Sequence, residues 1–124
     1  MRNFVNFSNH PSACWGEEQL KVVRQQYGDI IDISFPVLDP CMDEETIAKI
    51  GDECLESILK WSPCAVMCQG EFTLTFYVVN RLINKGITCV SACSERSSVE
   101  MMQEDGSVRK ESLFLFRGFR KYVL

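Results

Sequence analysis

The sequence predicts a three-layer α/β domain built on a parallel sheet, and three observations carry that expectation. Short apolar or β-branched runs alternate with segments whose apolar residues recur at helical spacing. Cys64 to Cys68 is continuously apolar, as in a strand covered on both faces. After four strands the alternation gives way to two extended runs around Glu104-Asp105-Gly106, the chemistry of a hairpin turn.

Phe4-Val5-Asn6-Phe7-Ser8 reads as the first strand, broken by Asn9-His10-Pro11-Ser12. From about Trp15 to Tyr27, Leu20, Val23 and Tyr27 repeat at helical spacing, and Glu17 and Glu18 suit the N-terminal end of the dipole. Gly28 is a natural stop. Asp29 to Phe35 is the second strand, ended by Pro36 and Pro40. Asp43 can cap a second helix carrying Ile47, Ile50, Cys54 and Ile58, with Leu55 and Leu59 widening its stripe. The third strand is Cys64 to Cys68. A third helix follows with Leu74, Val78 and Leu82, apolar round most of its circumference until Gly86, and so expected to be heavily buried. Ile87 to Cys93 is the fourth strand.

The alternation calls for a Rossmann-like domain with strand order 2-1-3-4 and right-handed crossovers. Residues 1–94 form the β/α core and residues 95–124 a hairpin extension, within one domain. Leu113, Phe114, Leu115, Phe116, Phe119 and Tyr122 leave too much apolar surface for an exposed ribbon, so the tail either extends the sheet or makes a dimer contact.

The net charge of -4 provides no global basic surface, which argues against a long duplex nucleic acid as partner. Seven cysteines at this length are many, but the number is odd and no C-x-x-C pair occurs. Reduced cysteines serving as small buried hydrophobes fit better than a zinc site, and a reducing, cytoplasmic compartment follows. Cys64 and Cys68, like Cys89 and Cys93, are expected to face one side of their strand. No signal peptide or spanning helix is evident, so no membrane partner is expected. Neither a metal nor a cofactor is called for.

In an open parallel sheet, ligands bind beyond the carboxyl ends of the strands where the strand order reverses. With order 2-1-3-4 that point lies between strands one and three. Three polar turns are expected to converge there: Ser8-Asn9-His10-Pro11-Ser12, Gln69-Gly70-Glu71-Phe72-Thr73 and Ser94-Glu95-Arg96-Ser97. Gly70 reads either as a tight-turn glycine or as room for a phosphate beside backbone N–H groups. Thr73 reads as a helix cap. Glu71 would repel a phosphate, so it suits a ribose hydroxyl or an ion pair with Arg96. Arg96 is the cation expected on the rim, and His10 the acid-base candidate. Ser8, Asn9, Ser12, Gln69, Phe72 and Ser94 complete the expected ligand contacts. No nucleophile elbow, P-loop or dinucleotide fingerprint is present. Cys14 stands near His10 without a third group to make a thiol nucleophile.

The run Asn6-Phe7-Ser8-Asn9-His10-Pro11-Ser12 with Trp15, then Phe35-Pro36, Gln69-Gly70-Glu71-Phe72-Thr73, Ser94-Glu95-Arg96 and the spaced Phe114 to Tyr122 resemble small CRISPR-associated proteins of the CARF-type, Rossmann-like kind. The likeness spans nearly the whole chain. It implies a homodimer that recognises cyclic oligoadenylate, and in some relatives a ring nuclease that cleaves it without metal. The ribose 2′-OH would attack its neighbouring phosphate, with backbone N–H groups at Gly70 and Glu71, together with Arg96, stabilising charge and His10 moving a proton. Two other functions fit the same residues: a non-catalytic sensor, and a nucleotide or nucleoside hydrolase with Glu71 as the acid-base group in a deep, closed pocket.

Overall fold

The computed structural model describes residues 2–124. Its chain order is β1 (Asn3–Ser8), α1 (Glu17–Gln26), β2 (Asp29–Ser34), α2 (Glu44–Leu59), β3 (Ala65–Cys68), α3 (Phe72–Asn84), β4 (Thr88–Met102) and β5 (Val108–Lys121). A single turn of 3-10 helix, Ser12–Cys14, precedes α1. The five strands form one sheet in the order β2-β1-β3-β4-β5, parallel except for the antiparallel β4–β5 pair. The expected 2-1-3-4 core order is therefore present, with the last strand added at its edge.

Alternation along the strands sorts the core into two layers. Val5, Phe7, Val66, Cys68 and Cys89 face α2 and α3, packing with Leu55, Ile58, Leu74, Val78 and Leu82. Phe4, Ala65, Met67 and Val90 face α1, packing with Trp15 and Val23. Both faces are covered, which is why β3 reads as an unbroken apolar run and β1 is apolar from Phe4 to Phe7 but for the buried Asn6. Among the described residues, no helix is long and apolar enough to cross a membrane.

Four expectations are corrected. Cys64 and Cys68 lie on different sides of the sheet: Cys64 precedes β3 and packs in the α1 layer, while Cys68 lies in the other. Ser94 to Ser97 is no turn, because β4 continues through it to Met102, held by β5. The boundary expected after residue 94 thus falls inside a strand, and Phe119 to Lys121 pair with Ala92 to Val90 in the core. Within one copy of the chain the third helix buries only the face against the sheet. Leu74, Thr75, Val78, Val79 and Leu82 point inward, whereas Phe72 is 90% and Phe76 70% exposed.

Tyr122 ties the end of the extension to the centre of the sheet. Its hydroxyl donates to the Cys68 carbonyl at 2.7 Å, and its N–H donates to the Cys89 carbonyl at 2.9 Å. Burial pushes the Cys68 and Cys89 thiols up to about 12, so both stay neutral and act as small hydrophobes. Replacing Tyr122 by Phe keeps the ring but leaves the Cys68 carbonyl without this donor. Urea unfolding is expected to show a loss of about 0.5–1.5 kcal/mol with an unchanged m-value.

Candidate functional site

Asn6 lies fully buried in the central strand, directly opposite Asp32 of β2. A buried amide must find partners, and Asn6 finds them all nearby. Its Nδ2 donates to Asp32 Oδ1 at 2.9 Å and to the His10 carbonyl at 3.0 Å, while its Oδ1 accepts from the Ser8 hydroxyl at 2.7 Å. Asp32 also accepts from the Ser12 hydroxyl at 2.8 Å and the Ser12 N–H at 3.2 Å. The His10 carbonyl takes a further bond from the Trp15 indole at 3.0 Å. The loop after β1 is consequently fastened at its start, middle and end.

Fastening the loop through backbone and hydroxyl groups leaves the His10 side chain exposed at the mouth of a crevice of about 900 Å³. The crevice lies beyond the carboxyl ends of β1 and β3, where the strand order reverses. Ser8, Asn9 and His10 line it from the first loop, and Gly16 to Gln19 from the start of α1. Met67 and Gln69 come from β3 and its end, Ala92 and Ser94 from β4, and Phe114 to Arg117 from β5. Gln69 also closes the sheet above the last β3–β4 pair, its side-chain oxygen accepting from Ala92 N–H at 2.7 Å.

The predicted rim thus assembles in part. Ser8, Asn9, His10, Gln69 and Ser94 meet at this crevice, and Cys14 joins them. Ser12 is engaged with Asp32. Glu71 and Thr73 line a different cavity, of about 740 Å³, with Leu38, Phe76 and Tyr77. Phe72 projects from the first turn of α3. Arg96 lies further out on β4, opposite Phe114 in the ladder. Gly70 has a packing reason to be glycine, since a Cβ there would sit 2.5 Å from the buried Phe35 ring.

The cap of α3 is Glu71, correcting the reading of Thr73 as the cap. The Glu71 carboxylate accepts from Leu74 N–H at 2.8 Å, and Thr73 donates its hydroxyl to the same carboxylate at 2.6 and 2.7 Å. The Thr73 hydroxyl above all, then the Leu74 N–H, hold this carboxyl below its ordinary value. Asp43 caps α2 as expected, accepting from Thr46 N–H at 2.9 Å.

Sequence reading did not place Asp32, Arg117 or the Phe114 to Phe116 wall at the site, having marked Phe114 to Phe116 only as apolar surface in need of cover. For Asp32 a signal existed: Asn6 and Asp32 each interrupt an otherwise apolar strand, and paired interruptions in neighbouring strands imply a satisfied polar cluster. Arg117 gave none, because its position depends on the register of β4 against β5.

The fold and crevice define an α/β protein with a ligand-sized cleft at the switch point of its sheet. The chain belongs to the uncharacterized protein MJ1673 family, whose model matches residues 2–120. No curated protein and no solved structure matches it.

Because Glu71 is more acidic folded than unfolded, its contribution to stability is fully present above its ordinary value of 4.5 and is lost as pH falls through the lower folded value. Glu71→Gln is expected to lower Tm at pH 7 and to lose less Tm than the wild-type protein between pH 5 and about 3. Thermal melts across that range check both directions.

Proposed function

We propose that this protein is a Rossmann-like, CRISPR-associated module of the CARF kind that binds cyclic oligoadenylate in the strand-end crevice and cleaves it without a metal ion. The observation that supports the reading is the meeting of His10, from the loop after β1, with the exposed ring of Phe114, from β5, in one cleft at the switch point. An aromatic face offers stacking to an adenine, and Asn9 and Ser94 offer hydrogen bonds to its edges and ribose. The scissile step would be attack of a ribose 2′-OH on the adjacent phosphorus, forming the 2′,3′-cyclic phosphate as the bond to the 5′-oxygen breaks. His10 would take the hydroxyl proton or deliver one to the leaving oxygen. Glu71, occupied as a helix cap beside the other cavity, is left out of this chemistry. Its exposure at the edge of that cavity gives less support to a Glu71-dependent hydrolase with a closed pocket.

The working form would be a homodimer in the cytoplasm. Beyond the core, β4 and β5 continue as a two-stranded ribbon with Leu113, Phe114 and Leu115 exposed, and such a ribbon gains stability by packing on a partner. A second reading, binding without turnover, is favoured by one feature: among the described residues the His10 imidazole has no hydrogen-bond partner to orient it.

Incubation with cyclic tetra- and hexa-adenylate in EDTA separates the readings. Cleavage by the wild-type protein, reduced about 10²–10⁴-fold in His10→Ala with binding retained, is the expected result. A ligand-dependent rise in Tm with every ring intact would leave the sensor reading standing. Neither binding nor cleavage would overturn both.

A further inference from the structure

We propose that Arg117 grips a phosphodiester in the strand-end crevice, exchanging Glu95 for it, and that the crevice selects phosphodiester-linked nucleotides over nucleoside triphosphates. The inference rests on the nucleotide reading above and specifies which phosphate chemistry that site accepts.

The β4–β5 ladder contains one irregularity, and Arg117 is its product. Cys93 stands opposite Gly118 and Ser94 opposite Phe116, so Arg117 is an extra residue with no partner across the ladder. Gly118 takes φ of 143°, a conformation that L side chains rarely adopt, although a Cβ there would meet no atom within 4 Å. Backbone conformation rather than space calls for glycine. A bulge bends its strand and re-aims a side chain, and the residue freed here is among those that line the crevice.

The charges of the crevice set the ligand class. Its lining residues include the acidic Glu17 and Glu18, one arginine, Arg117, and the imidazole-bearing His10. Glu17 and Glu18 occupy the first turn of α1, where they offset the positive end of that helix. A triphosphate would bring several negative charges into a cleft that already carries more acid than base. A phosphodiester brings one charge and two non-bridging oxygens, which match one guanidinium fork.

In the free protein that fork is held in reserve. Arg117 Nε donates to Glu95 Oε2 at 2.7 Å, and Nη2 lies 2.7 Å from the same oxygen. Both side chains are more than half exposed, at 59% and 60%, so the pair adds little net stability and separates readily. Glu95 acts as a built-in competitor that positions Arg117 for the incoming phosphate.

Titrations of wild-type, Arg117→Ala, Arg117→Lys and Glu95→Gln proteins with cyclic tetra-adenylate, with adenylyl-adenosine and with ATP test the proposal. Adenylyl-adenosine carries one phosphodiester and no terminal phosphate. The wild-type protein is expected to bind one or both diester ligands more tightly than ATP. Arg117→Ala is expected to weaken diester binding by about tenfold or more, with Arg117→Lys intermediate, as for loss of a charge-assisted fork. Glu95→Gln is expected to tighten it, and Tm should hold in all variants, which a purely structural role for the pair would not give. Equal diester affinity in Arg117→Ala, or tighter binding of ATP than of either diester, overturns the proposal. Arg117-dependent binding of adenylyl-adenosine without binding of the ring would sink the cyclic-ligand reading and leave this one. Binding of the ring unchanged by Arg117→Ala would do the reverse, and no binding of any ligand would overturn both.

Discussion

A buried amide in the central strand is the constraint on which the ligand-facing end of this protein depends. Asn6 replaces an apolar residue in the α1 layer, and its position is tolerable only while every polar atom of the amide is paired. The partners are the Ser8 hydroxyl at the end of the same strand, the Asp32 carboxylate of β2 and the His10 carbonyl from the loop that follows. Satisfying Asn6 therefore shapes that loop. The shape presents the His10 side chain outward and turns the Trp15 indole inward over Phe4, with ring centroids 6.5 Å apart.

The same logic distinguishes a polar residue that builds a site from one that touches ligand. Ser8, Ser12 and Gln69 all lie near the switch point, yet their side-chain hydrogen bonds run to the protein itself, to Asn6, Asp32 and Ala92. Glu71 and Thr73 spend theirs on the first turn of α3. Under the proposed function, the side chains left to meet a ligand include His10 and Phe114, with Arg117 held on an exposed, easily exchanged partner. Because these three come from the two ends of the chain, the crevice exists only once β5 has closed on β4.

That dependence explains the uneven legibility of the sequence. The helices and parallel strands were readable because burial on two faces imposes long apolar runs and helical spacing, as in Ala65–Cys68 and Ile47 to Leu59. The Asp43 cap was readable for the same local reason. Thr73 misled because Glu71, two residues earlier, also fits a cap, and spacing does not choose between them. Ser94 to Ser97 misled because small polar residues suit both a turn and an exposed strand, and β5 supplied the pairing that made it a strand. Cys64 misled because alternation holds only within a strand, and β3 begins one residue later.

The sequence by itself determined the α/β layering and the alternation of strands and helices, since periodicity and the need to cover both sheet faces act locally along the chain. The strand order that places the switch point was an assumption that strand pairing had to supply. Only the tertiary structure decided which polar residues stand together. It separated Glu71 from His10 by turning the α3 start toward the other cavity, and it brought Arg117 to the crevice through a single unpaired residue. Register between distant strands is a property of their pairing, and no local pattern encodes where one extra residue will be placed.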